Sequence, residues 1–341
     1  MRQRDQVIDV FKGLLVLGMV YTHILQFFCH FDKHHLAEVF QNYVNIITFS
    51  GFVFSFGFVC QKAYYNKSFQ AASGKMALNG LKTLVAFYIS GSYFRILIDN
   101  KRFEWDTFRQ ILILQDIPGW SEFLISFTLY IFVGLVFFKP FQLLVEKKWV
   151  FWLVLALCLV TTYMNYSKIT INQIGLLIGT KQFASFPIVQ YMPFYLIGMY
   201  LARYGVKSHL GILIGATVST VVAAVFFMKK GKLPGRFPPS LEWILAPSLF
   251  LYIYYLAARR FEFVSYLRKP LTFLGRNVLI YLLLSNIFIF TLKSNQRALE
   301  LTPAQCLILA VLNFAIIGYF ISIITNGKPK QTEVVVRELH S

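Results

Sequence analysis

The 341-residue chain is 57% hydrophobic and 18% aromatic, only 14% charged, and has a mean hydropathy of +0.59. That balance excludes an ordinary soluble domain and points to a membrane protein. The formal charge of +18 would suit nucleic acid, but basic residues also collect beside membrane spans, so nucleic acid is not expected as a partner.

Taken in order, ten apolar windows are each long enough to cross ~30 Å of hydrocarbon at about 1.5 Å per residue. They cover residues 7–29, 42–60, 76–98, 121–138, 149–164, 186–202, 209–228, 240–258, 272–292 and 305–325. Two stretches, 108–114 and 171–180, are too short to span and read as interfacial or re-entrant pieces. The expected fold is therefore an all-α polytopic bundle of about ten transmembrane helices, a single domain over 1–325 with a short polar tail at 326–341. Lys and Arg are in modest excess on the side of the N-terminus, which predicts both termini in the cytoplasm. The first window has no small-residue cleavage site and runs past signal-peptide length, so it is expected to stay as an anchor. The absence of eukaryotic targeting features favours a bacterial inner membrane. Cys29, Cys60, Cys158 and Cys306 lie in or at the ends of spans and suggest neither a disulfide framework nor a zinc site.

The first span, "DVFKGLLVLGMVYTHIL", carries three ionisable groups. Such residues inside a membrane are costly and usually mark a pathway. At about 100° per residue, Lys12 and His23 fall within ~20° of each other, ~16 Å apart along the axis. The face has a cation at one mouth and a titratable imidazole deep within, and imidazole suits acid–base work near neutrality. Asp9 lies one turn from Lys12 and is expected to pair with it. The bland alternatives are a snorkelling Lys and a His bonded to a neighbouring helix. The run "HFDKHH", with His30, Asp32 and His34, matches no established metal-ligand spacing, and no metal is expected.

Further along, Arg95 reads as snorkelling at its span's outer end. Glu122 beside "DIPGW" and Glu242 beside "FPPS" either face an external acceptor or lie at the interface, the interface being the preferred reading. Arg276 and Asn277 open the ninth span near Arg259, Arg260, Arg268 and Lys269, forming a basic mouth on the Lys12 side. Arginine is well shaped for phosphate, although positive-inside anchoring accounts for such clusters too.

"IDVFKGLLVLGMVYTH" resembles the first helix of the acyltransferase-3 superfamily of membrane acyltransferases, in which a basic residue and a histidine stand at the spacing of Lys12 and His23. "FVFSFGFVCQKAY", "PFYLIGMYLARYG" and "LTFLGRNVLIYLLLSN" are similar to later family segments, in the same order. "RFPPSLEWILAPSLFLY" resembles the heparan-α-glucosaminide N-acetyltransferase-like branch. The resemblance implies transfer of an acyl group, often acetyl, from cytoplasmic acyl-CoA to a hydroxyl or amine of a glycan or lipid-linked sugar. Acyl-CoA is then a cosubstrate, with no bound cofactor, and membrane lipids are the remaining partner. It implies His23 as base, Lys12 as the donor-side cation and Arg276 as a further donor contact. Beside these, Asp9 is grouped with His23 in the catalytic set, and Asn277, Glu122 and Ser285 with Lys12 and Arg276 as substrate-side residues. Two residues depart from the pattern. Lys12 replaces the commoner arginine and loses its bidentate geometry, and Ser285 stands where a second histidine is common. Asn286, Ser285 and Tyr281 are the candidate oxyanion donors. A transporter for a lipid-linked or sugar substrate and an inactive membrane scaffold remain open as rivals.

Overall fold

A computed structural model describes residues 5–102 and 104–326; the expected tail lies almost entirely outside them. The described residues are helical throughout, with no strand. In chain order the helices are α1 (Gln6–Phe28), α2 (His35–Cys60, continued by a π-helical turn, Gln61–Tyr65), α3 (Phe69–Leu97), α4 (Trp105–Leu112), α5 (Glu122–Val136), α6 (Phe138–Glu146), α7 (Lys148–Val160), α8 (Asn172–Ile178), α9 (Ile188–Tyr204), α10 (Leu210–Lys230), α11 (Leu241–Leu245), α12 (Ser248–Phe261), α13 (Ser265–Arg276), α14 (Val278–Asn295) and α15 (Pro303–Asn326).

Six helical segments among the described residues are long and apolar enough to cross a membrane, seven if the bent α5–α6 pair is one span. They mark the chain as an integral membrane protein. Their exposed sides are apolar, as a surface facing lipid requires. On α10 only Ala223 is buried, while Leu210, Ile214, Val218, Val221 and Phe227 face outward. The windows 76–98, 149–164 and 186–202 form helices too, but fall outside those six. Two windows change shape. Window 121–138 bends by 83° at Phe137, just before Lys139-Pro140; proline fits the first turn of a new helix and not the middle of an old one. Window 272–292 is broken at Asn277, whose Nδ2 donates to Phe273 O at 2.9 Å and closes α13 before α14 begins. The two short stretches become α4 and α8.

Connections gather at two ends of the bundle. At one, Lys62 meets Asp5, Arg203 meets Glu146, and Arg276 meets Asp9. At the other, Leu301 N donates to Phe28 O, Asn172 to Gln115 O and Tyr166 to Pro239 O. These are called the Lys12 end and the His30 end below.

α1 is the axis, packed against α2, α12, α13, α14 and α15. Its crossing with α13 and that of α2 with α9 bring backbones into contact. A Cβ on Gly13 would overlap Leu271 O, and one on Gly275 would overlap Asp9 O; Gly57 faces Tyr195 O and Gly198 faces Phe54 O in the same way. Small residues at such crossings are how membrane helices approach closely.

Alanine favours a helix over glycine by about 1 kcal/mol, but overlap with a backbone atom cannot be relieved by a rotamer change and costs about 1–3 kcal/mol. Gly198→Ala is therefore expected to lower the unfolding temperature of the protein in nanodiscs. Gly215→Ala on α10, where a Cβ meets nothing within 4 Å, is expected to hold or raise it.

Candidate active site

Two polar centres sit on the buried faces of α1. At the Lys12 end the Asp9 side chain is 1% exposed, with Oδ1 2.8 Å from Lys12 Nζ and Oδ2 3.4 Å from Arg276 Nε. The α1–α13 crossing creates this clamp, because Gly275 lies against the backbone of Asp9 and places Arg276 one residue beyond. Lys12 is 14% and Arg276 46% exposed at the side chain, so the two cations border the surface while the anion is sealed.

His23 lies eleven residues up the helix and lines a cavity of about 280 Å³. Polar walls come from Thr22, His23 and Gln26 of α1, Asn45 and Thr48 of α2, Glu122 at the start of α5, and Arg236 from the α10–α11 connection. Aromatic walls come from Phe49, Trp120, Phe123, Phe186 and Phe237. Met19 is the α1 lining residue nearest Lys12. Val16 and Met19, 0% and 2% exposed, fill the face between Lys12 and His23, so the route expected along it is packed.

The imidazole is fixed by its neighbours. Trp120 packs edge-on against it with ring centroids 4.8 Å apart, and the Asn286 side chain abuts it. Neither His23 Nδ1 nor Asn286 Oδ1 has a hydrogen-bond partner among the described residues. A carbonyl oxygen beside an imidazole is the kind of group that decides which ring nitrogen carries the proton. Asn286 Nδ2 is committed elsewhere, donating to Trp120 O at 3.1 Å and Ser90 Oγ at 3.3 Å; Ser121 Oγ adds a bond to Ser90 Oγ at 3.1 Å. These bonds hold Trp120 at φ 65°, a left-handed conformation costly for a bulky residue and concentrated at functional sites. Arg95 secures the same segment from α3. Its Nε donates to Asp116 Oδ2 at 2.9 Å and its other nitrogens engage Asp116 and Asp99. It pairs at this end rather than snorkelling.

Glu122 is brought into the cavity. Its Oε2 is buried without a partner among the described residues, at a helix N-terminus where a carboxylate is favoured. Arg236 is the residue that sequence reasoning missed. Its guanidinium lies over the rings of Phe237, Phe186 and Trp243 at 4.7, 5.3 and 5.9 Å, and its charge acts on both His23 and Glu122. Burial pulls the guanidinium below its ordinary pKa, while Tyr191 and Glu122 oppose that shift. The only signal in the sequence was an arginine set among prolines in "PGRFPPS".

The other expected residues do not converge here. Asp9 is fourteen residues from His23, ~21 Å along the helix, and belongs to the Lys12 clamp. Asn277 caps α13. Ser285 is buried with its hydroxyl bonded to Leu282 O at 3.2 Å, and it is absent from the cavity lining. Of the three oxyanion candidates, Asn286 alone touches His23, and its N–H groups are already engaged. His30 pairs with Glu300 at 2.9 Å, and no group of His, Cys, Asp and Glu suited to a metal occurs among the described residues.

Residues 5–326 match the sequence model of a family described as an acyltransferase domain. The chain belongs to the acyltransferase-3 family. No curated protein matches the sequence. The match covers every described residue, so the clamp and the cavity both lie within the acyltransferase domain.

Removing Asp9 takes the sealed carboxylate away from Lys12, which is 14% exposed, and breaking a buried pair costs about 3–5 kcal/mol. Removing the half-exposed Arg276 is expected to cost less than about 1 kcal/mol. Thermal unfolding in nanodiscs should therefore rank Asp9→Ala well below Arg276→Ala. The reverse order would mean that Arg276, not Asp9, carries the crossing.

Proposed function

We propose that the protein is an acyl-CoA-dependent O-acyltransferase of the bacterial inner membrane, a bundle of ten spans with both termini in the cytoplasm. It moves an acyl group, acetyl being the simplest, to a hydroxyl of a glycan or lipid-linked sugar. The observation that carries this reading is His23. A half-buried imidazole, whose sealed Nδ1 has no hydrogen-bond partner among the described residues, faces a cavity inside a domain of an acyltransferase family.

In this reading the donor's phosphates dock against Lys12 and Arg276 at the cytoplasmic surface, which both side chains border. An extended pantetheine arm spans the ~16 Å to His23. Met19, unbranched and adaptable, is the side chain that gives way to it. His23 accepts the proton of the acceptor hydroxyl as its oxygen attacks the thioester carbonyl carbon. The carbon–sulfur bond then breaks, the electron pair leaves on sulfur, and the proton passes from the imidazolium to give free CoA thiol. Asn286 and Trp120 orient the ring and do not themselves react.

The test is release of CoA thiol from acetyl-CoA by the purified full chain in nanodiscs, with and without added glycosides. His23→Gln, which is close in size and cannot act as a base, is expected to reduce release at least 100-fold without changing the unfolding temperature by more than a few degrees. Wild-type turnover by folded His23→Gln would remove His23 as the base. No turnover by folded wild-type protein, with no acetyl-CoA binding, would remove the acyl-transfer reading altogether.

A further inference from the structure

Arg236 and Glu122 share a cavity and feel each other's charge, yet no carboxylate lies within 4.0 Å of Arg236 among the described residues. Arg236 Nε and Glu122 Oε2 are both buried without partners there. An arginine that served only to neutralise Glu122 would close on it, because bidentate contact is the favoured geometry of such a pair. This one is held open by its frame. The connection that carries it is closed by Ser240 N donating to Gly235 O at 2.9 Å and anchored by Trp243 Nε1 donating to Tyr191 OH at 2.9 Å. Meanwhile Phe186, Phe237 and Trp243 pin the guanidinium.

A fixed donor fork and a fixed acceptor, separated and flanked by aromatic rings, fit a polyhydroxylated ring. One hydroxyl donates to the carboxylate, another accepts from the guanidinium, and the ring's C–H face lies on the aromatic wall. The cavity, at about 280 Å³, is just below the ~300–1,000 Å³ range of small-molecule sites. It suits one sugar residue and not an oligosaccharide. Both groups enter from the His30 end, since Glu122 follows Trp120 in the segment tied down by Asp116 and Arg236 follows α10. The cations of the Lys12 clamp lie at the other end, so Arg236 is placed for the acceptor and not for the donor. We infer that Glu122 and Arg236 form the acceptor subsite, gripping a single pyranose residue through two of its hydroxyls and presenting a third to His23. This rests on the acyl-transfer reading.

The probes are the methyl glycosides of glucose, galactose and N-acetylglucosamine, each at millimolar concentration with the full chain in nanodiscs. The first readout is the shift in unfolding temperature without any donor; the second is the glycoside KM and acetyl-CoA KM for thiol release. At least one glycoside is expected to stabilise the wild type. Arg236→Lys, which keeps the charge and loses the fork, and Glu122→Gln, which keeps the shape, should each abolish that shift. Each should raise the glycoside KM at least tenfold, with the acetyl-CoA KM within twofold of wild type. An unaltered glycoside KM in either folded variant would overturn the proposal, as would a selective rise in the acetyl-CoA KM. So would the absence of both stabilisation and stimulated release with every glycoside. Thiol release with neither stimulation nor stabilisation by any glycoside would sink the subsite alone, whereas stabilisation that both variants abolish, with neither thiol release nor acetyl-CoA binding, would sink acyl transfer and with it the acceptor role, leaving only a sugar site at Glu122 and Arg236.

Discussion

A carboxylate sealed at the contact of two helix backbones fixes the position of everything else on α1. Asp9 is 1% exposed and holds Lys12 and Arg276 from two different helices. It can do so because Gly13 and Gly275 let α1 and α13 touch. Sliding α1 by one turn would part Asp9 from Arg276 and put side chains where only glycine fits, and the packing term is the larger of the two. The height of His23 in the bundle is thereby set from the opposite end of its own helix.

The other wall of the cavity is built from segments that connect helices, and these need separate restraint. Trp120 is held left-handed by its carbonyl's bond from Asn286, and its segment is moored to α3 through Arg95 and Asp116. Arg236 is held by a proline-rich turn and three rings. Each restraint is polar or aromatic and lies where the chain cannot satisfy its backbone within a helix. The imidazole thus stands between a rigid helix and tethered connections, an arrangement that limits both its rotation and the water around it.

Residues related by helical period were legible in the sequence. The shared face of Lys12 and His23 and the Asp9–Lys12 pair needed only 3.6 residues per turn, and the windows along the chain needed only hydropathy. Groups whose role depends on the partner across a gap were not legible. Glu122 reads the same whether its span begins in headgroups or beside a cavity, because local apolarity does not say what lies opposite. Arg236 counted only as one more basic residue in a connection. Arg95 looked like a snorkelling residue because its partners Asp99 and Asp116 sit outside the helix. The break at Asn277 was hidden because α13 ends in a side-chain bond to Phe273 O inside an apolar run, and Ser285 drew notice through its position in a pattern although its hydroxyl is satisfied within its own helix.

The packing between the two centres also bears on what kind of protein this is. Val16 and Met19 close the face of α1 that separates the clamp from the cavity, and Gly13 and Gly275 bind α1 to α13 just below them. A transporter must expose one site to both ends in turn, by rocking one helical unit against another. Here the helix carrying His23 is surrounded by five others and seated backbone-to-backbone on α13, so it is poorly suited to be the moving part. The packing thus disfavours a carrier mechanism and agrees with membership of an acyltransferase family.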